Sequence, residues 1–222
     1  MPIRLDERLT EIARLAEGAD TVCDVGSDHG KLACWLVQTG RAARAIATDI
    51  SAPSLKKAER LAEELGLADE VPTRVGDGLD PIADGEADVV VIAGMGGDLI
   101  ARILERAREQ GKRFGRFVLS PNTHAERVRE QLQRMGHTVE HDGSVGCAGK
   151  DYTVIATREG GEEKFDALQL AFGKFFATDG EFRARAAAEL AQINGLLAGN
   201  PGAASLAERK RLLEEALKEC AE

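Results

Sequence analysis

No run of apolar residues in this chain approaches the roughly 18 that a membrane span needs, and its amino terminus is charged from Arg4 to Arg8. Neither a membrane partner nor a secretory leader is expected, and the reading is of a cytoplasmic protein. Cysteine is equally sparse. Cys23, Cys34, Cys147 and Cys220 lie far apart without paired ligand spacing, which excludes a disulfide framework and leaves no reason to expect a bound metal. Excess basic charge is also lacking: the formal net charge is -9, which argues against an indiscriminate polyanion binder while allowing a local basic patch. What is present is enough for one full core and an appendage, since 43% of 222 residues are hydrophobic. A monomer is expected.

The most informative stretch is Thr21-Val22-Cys23-Asp24-Val25-Gly26-Ser27-Asp28-His29-Gly30. Val22, Cys23 and Val25 suit a buried strand, Gly26 allows a sharp turn close to a ligand, and an amphipathic segment over residues 31–38 follows. The spacing resembles the glycine-rich dinucleotide turn, but Asp28 stands at the middle glycine position and would repel a pyrophosphate. A cationic, phosphate-free adenosine cofactor fits better, with S-adenosylmethionine the natural candidate. Asp24 ends the strand as an acceptor facing it.

Three further strand ends carry acids or glycines. Residues 43–49 form an apolar strand closing on Asp49, placed to accept both ribose hydroxyls of an adenosine. Residues 71–75 make a third strand, limited by Pro72 to an edge or a strand start. It runs into Gly76-Asp77-Gly78, where Asp77 is positioned for the adenine amine. Residues 88–93 are the most apolar short run, as a central parallel strand requires, and end in Gly94-Met95-Gly96-Gly97-Asp98, a backbone that can approach a ligand closely. A fifth strand over 114–119 ends in Ser120-Pro121-Asn122-Thr123-His124, with Thr123 and Glu126 spaced as a cap for a helix over 125–135. Asn122 both donates and accepts, which suits the edge of a base. Residues 137–145 and 151–157 read as two more strands around a glycine-rich, mobile, hairpin-like connection. Tyr152, the one tyrosine, begins the second of them and is placed to stack on a base or to pack.

An amphipathic helix over residues 4–17 precedes the first strand, with Arg4, Arg8 and Arg14 on or beside its polar face, either solvated or facing RNA phosphates. Strand and helix in alternation, then two strands, specify an α/β fold: a doubly wound, seven-stranded Rossmann-like sheet with an antiparallel edge. Gly160-Gly161 marks a shift to helical patterning. The expected organisation is a catalytic domain over 1–159 and a helical, coiled-coil-like extension over 160–222, with helices over 165–176, 182–197 and 205–220. Thr178 with Glu181, and Ser205 with Glu208, have capping-box spacing. The tail's basic residues alternate with acids, so a solvated face is expected, with a tRNA-holding arm as the functional alternative.

In combination, Asp24-Val25-Gly26-Ser27-Asp28-His29-Gly30, Gly76-Asp77-Gly78-Leu79, Ile92-Ala93-Gly94-Met95-Gly96-Gly97 and Leu119-Ser120-Pro121-Asn122 make the chain resemble the bacterial tRNA (adenine-22, N1) methyltransferase family. The resemblance covers residues 4–158. It implies a class I S-adenosylmethionine-dependent methyltransferase domain joined to a helical coiled-coil domain, acting on tRNA. Carried onto this chain, it implies cofactor contacts at Asp24, Gly26, Ser27, Asp28, His29, Asp49, Ile50, Asp77, Gly78, Ala93 and Gly94. Met95, Gly96, Asp98 and Asn122 fall on the catalytic face, and Arg8, Asn122 and Tyr152 toward the substrate base. The alternatives are a methyltransferase of the same fold acting on a small molecule or protein, and a binding module that keeps the cofactor turn without the chemistry.

Overall fold

Short Val, Ile and Ala runs alternating with amphipathic stretches build the first of two compact units, Met1–Glu163. The computed structural model describes residues 3–220. In chain order the unit contains α1 (Glu7–Leu15), β1 (Ala19–Val25), α2 (Lys31–Gln38), β2 (Ala42–Asp49), α3 (Ala52–Leu65), β3 (Thr73–Val75), β4 (Val89–Ala93), α4 (Gly97–Glu109), β5 (Arg116–Ser120), α5 (Ala125–Arg134), β6 (His137–Cys147) and β7 (Lys150–Glu159). The sheet order is β3-β2-β1-β4-β5-β7-β6. Strands β1 to β5 are parallel and β7 runs antiparallel to both its neighbours. The order reverses between β1 and β4, so the loops after these two strands diverge to opposite faces and leave a crevice at their carboxyl ends.

Burial follows position in the sheet. Val89, Val90, Val91 and Ile92 of central β4 are fully buried, which is why this run carries no polar alternation. Edge strand β3 is short and begins after Pro72, which lacks the amide a ladder needs. Inside the sheet's antiparallel end, Arg129 of α5 donates from Nε and Nη2 to the two carboxylate oxygens of Asp142 on β6 at 2.8 and 2.9 Å, both residues buried. Such a pair is costly to break from one side, since the remaining charge stays buried.

The hairpin-like connection expected between the last two strands forms, as a continuous hairpin paired down to Cys147–Lys150. Ala148 and Gly149, both at positive φ (50° and 76°), close it in the manner of a two-residue mirror-type turn. Several local expectations are corrected. Thr123 does not cap α5. The cap position belongs to His124, which is left-handed (φ 51°) and makes no side-chain cap bond, and the Thr123 carbonyl accepts the Gly97 amide at 2.8 Å. That contact leaves no room on Gly97: a Cβ there would fall onto the carbonyl oxygens of Thr123 and His124. Gly97→Ala is therefore expected to cost about 1–3 kcal/mol, the usual range for overpacking, and to lower Tm by roughly 2–10 °C in a thermal melt; a Tm within 1 °C of the parent's would contradict this packing.

The second unit, Lys164–Glu222, is helical. It comprises α6 (Ala167–Phe172), a 3-10 turn over Phe176–Thr178, α7 (Phe182–Gly199) and α8 (Ala204–Glu219). The single helix expected over 165–176 is broken at Gly173 (φ 108°), and the break lets Phe172, Phe176 and Phe182 meet with ring centroids 5.2 to 6.0 Å apart. The expected capping boxes at Thr178 and Ser205 do not form. The box is Asp166 with Gln169, while α7 and α8 start at Glu181 and Ala203 without side-chain caps. Basic residues here pair with acids of the same unit, Arg209 with Glu189 and Arg211 with both Glu208 and Glu215. Residues 160–163 stay with the first unit, where the Val139 amide donates to the Glu163 carboxylate at 2.7 Å. Among the described residues no helix is long and apolar enough to cross a membrane.

Candidate active site

The loop after β1 is fastened to β2 before any side chain is considered. The amides of Gly26 and Ser27 both donate to the Thr48 carbonyl, at 2.8 and 3.0 Å. Gly26 (φ 75°) and Gly30 (φ 69°) take the left-handed turns. Asp28 does so as well, at φ 48°, and a non-glycine residue there is strained unless its surroundings hold it. They do: its amide donates to Asp49 Oδ2 at 3.3 Å, and its carboxylate binds His29 Nδ1. His29 Nε2 in turn lies 3.2 Å from Lys57 Nζ on α3. Because an ammonium only donates, Nε2 is the acceptor and the ring proton sits on Nδ1, shared with Asp28. Sequence reading found His29 and missed Lys57, which is separated from it by 28 residues.

Around this loop opens a cleft of about 260 Å³ whose wall includes Arg8, Asp24, Gly26, Asp28, Lys31 and Ala93. Asp24 is 6% exposed. Burial pushes its carboxyl up to about 6, against the opposing pull of the Ser27 hydroxyl, which donates to it at 2.5 Å; the charge of Asp49 adds to the rise. Asp49 itself accepts the Ser51 amide on Oδ1 at 2.7 Å and the Asp28 amide on Oδ2, leaving further lone pairs for a ligand. Ile50 beside it is 73% exposed, and Val75, the register partner of Asp49 on β3, also presents apolar surface. A buried carboxyl with no ion-pair partner among the described residues, a second acid at the next strand end and exposed apolar side chains beside it suit a cation carrying a diol and a flat ring. They do not suit a pyrophosphate.

A second cluster sits where β4 and β5 end. The Asn122 amide nitrogen donates to the Gly94 carbonyl at 2.7 Å, its backbone amide to the Met95 carbonyl at 2.8 Å, and its Oδ1 accepts Arg8 Nη1 at 3.3 Å. The Arg8 guanidinium carbon lies 4.7 Å from the centre of the Tyr152 ring. Arg8, Asn122 and Tyr152 are thus brought together from α1, the β5 loop and β7. Arg14 of the same helix instead bonds Glu11 on the outside. Met95 joins this cluster to the first, since its terminal methyl occupies the space a Cβ on Gly26 would need.

Two expected residues lie elsewhere. The Asp98 carboxylate does not face the cleft: it accepts from His124 Nδ1 at 2.5 Å, with Arg127 Nε at 3.9 Å, and it raises the His124 imidazole's pKa. Asp77 is held by Arg106 Nη1 at 2.9 Å, and Arg106 also grips Asp80. These acids line a separate cavity of about 300 Å³ with Leu79, Leu99 and Ile103. Gly78 (φ 57°) turns the chain there, against the Ile103 side chain. Among the described residues no group of acids, histidines and cysteines is arranged to hold a metal ion.

Comparison with known proteins adds four findings. The methyltransferase-domain family model matches residues 5–155. A Bacillus subtilis tRNA (adenine(22)-N(1))-methyltransferase is 36% identical over 172 residues, 77% of this chain and 72% of the relative's length. Among solved structures, the B. subtilis m1A22 tRNA methyltransferase TrmK superposes with a TM-score of 0.85 at 31% identity over 97% of this chain and 99% of that one. A Streptococcus pneumoniae protein solved with S-adenosyl-L-methionine superposes with a TM-score of 0.85 at 29% identity, covering 96% of this chain and all of its own (100%).

Proposed function

The chain belongs to the tRNA (adenine(22)-N(1))-methyltransferase family, and from that premise we propose that it transfers the methyl group of S-adenosylmethionine to N1 of adenine 22 in tRNA. The observation that carries this reading is the adjacency of the cleft that holds Asp24 and Asp28, whose loop is tied to Asp49, to a cluster with the shape and hydrogen-bonding of a base site, built on Gly94, Asn122 and Tyr152. Such a substrate makes the protein cytoplasmic and its RNA contact specific to one nucleotide, consistent with a net charge of -9.

Bound S-adenosylmethionine supplies a methyl group on a cationic sulfur, open to in-line displacement by a nitrogen lone pair. Asp49 would hold the ribose hydroxyls, Ile50 would cover the adenine, and Asp24 would face the cationic part of the cofactor. On the acceptor side, the Gly94 carbonyl and Asn122 Oδ1 each keep a free lone pair for the exocyclic amine of the target base. Those acceptors do more than orient. As N1 takes the methyl, positive charge spreads onto the exocyclic amine and its N–H groups bind the two oxygens more strongly, which favours the transition state over the ground state. No protein nucleophile is needed. Adenine must leave its stack to reach the site, at a cost of a few kcal/mol, and Tyr152 returns part of it by stacking.

Incubating unmodified bacterial tRNA with the protein and labelled S-adenosylmethionine tests the reading. Nucleoside mass spectrometry is expected to find 1-methyladenosine, with primer extension stopping at position 22. Label in a protein or small molecule and none in tRNA would move the chain to another acceptor class.

A further inference from the structure

Arg8 occupies an unusual place for an arginine on the first helix of an acidic protein. Its guanidinium lies over the Tyr152 ring at 4.7 Å. It donates to Asn122 Oδ1 at 3.3 Å, and Nη2 lies only 3.2 Å from where a Cβ on Gly94 would stand. It therefore fills the surface at the end of β4 that an acceptor base needs. The chemistry of the occupant matters: a guanidinium is a flat N–C–N fork that stacks on rings and donates from its edge, and the N1–C6–N6 edge of adenine is a flat amidine with the same outline. The hold is weak. The bond to Asn122 is long, and Arg8 Nε is buried with no hydrogen-bond partner among the described residues, an unfavourable arrangement that is relieved when the side chain moves out to water.

We propose that Arg8 is a displaceable stand-in for the acceptor base. The incoming adenine takes the Tyr152 face and the Asn122 oxygen from the guanidinium, and the guanidinium takes them back when the methylated base leaves. The direction of the exchange is set by charge. Unmodified adenine is neutral and meets no repulsion from the displaced arginine, whereas 1-methyladenine carries the positive charge that the sulfur has lost. Two cations then compete for one ring and one oxygen, so Arg8 weakens product binding more than substrate binding. The proposal rests on the tRNA reading above.

The test compares two ligands in equilibrium binding with saturating S-adenosylhomocysteine: one unmodified tRNA, and the same tRNA carrying 1-methyladenosine at position 22. The wild-type protein is expected to bind the methylated tRNA about five- to tenfold more weakly, the scale of one like-charge contact near water. In Arg8→Ala and in the neutral planar Arg8→Gln, the ratio is expected to collapse to within about twofold, mainly because the methylated tRNA binds more tightly than before. Turnover should then show a burst followed by slow product release. If both substitutions weaken the two tRNAs by the same factor, Arg8 is a phosphate contact and the proposal falls. A ratio that survives both substitutions also sinks it. Absence of any transfer to tRNA by the wild-type protein removes the underlying reading as well, so the two failures are distinguishable.

Discussion

Asp49→Ala is expected to weaken S-adenosylmethionine binding by about 100- to 1000-fold, roughly 3–4 kcal/mol, in isothermal titration. The size follows from the number of jobs one carboxylate does. It stands where it can accept two ribose hydroxyls, and hydrogen bonds to a charged acceptor contribute about 1.5–3 kcal/mol each. It also receives the Asp28 amide at 3.3 Å and the Ser51 amide at 2.7 Å, so it braces a loop residue that sits at φ 48° and would otherwise relax. Alanine removes the ligand contact and the brace together. Asp49→Asn keeps one acceptor oxygen for an amide and is expected to lose less, about 10- to 30-fold. Turnover at saturating cofactor should change by less than the affinity does, since Asp49 touches no reacting atom. A dissociation constant within threefold of the parent's for Asp49→Ala would mean that the cofactor lies elsewhere.

That Asp49 was legible in the sequence at all comes from periodicity. An apolar strand of seven or eight residues, ended by an acid about 25 residues after another such strand, has few ways to pack other than side by side in a parallel sheet, and both acids then emerge at the same end. The acids just after β3 and at the start of α4 obey a different logic. Asp77 is diverted by Arg106, 29 residues further on, and Asp98 by His124 and Arg127 on another helix. No local pattern announces which arginine a surface carboxylate will find. The same limit applies in the other direction to Arg8, whose partners Asn122 and Tyr152 are more than a hundred residues away and meet it only because α1 packs beside β6 and β7. Helix caps failed for a third reason: α7 starts at Phe182 as its periodicity predicts, but Thr178 and Ser205, despite their cap spacing, lie off the cap positions, which fall at Glu181 and Ala203, and the Phe172, Phe176 and Phe182 rings pack together at the start of α7.

Cofactor affinity is expected to fall by about tenfold per pH unit below pH 6 and to be flat above about pH 7. The group responsible is Asp24, whose burial raises its carboxyl to about 6, so that in the empty cleft it is largely protonated at pH 5 and largely ionised at pH 7. A cationic ligand favours the ionised form and lowers that value on binding. Between the free and bound values, each unit of pH lost costs one proton that binding must expel, which gives the slope. The stability of the empty protein moves the other way. The unfolded carboxyl ionises near its ordinary value of 3.8, whereas the folded one holds its proton up to about 6. Across that window the native state binds more protons, so Asp24 makes the empty protein less stable as pH rises from 4 to 7, and the cofactor offsets the loss. Asp24→Asn is expected to remove the slope, to weaken binding at pH 8 by about 30- to 100-fold, and to raise the melting temperature of the empty protein at pH 8. Titrations of both proteins from pH 5 to pH 8, paired with thermal melts, separate the two effects. A slope that persists in Asp24→Asn would assign the titration to another group and leave Asp24 as a structural carboxyl.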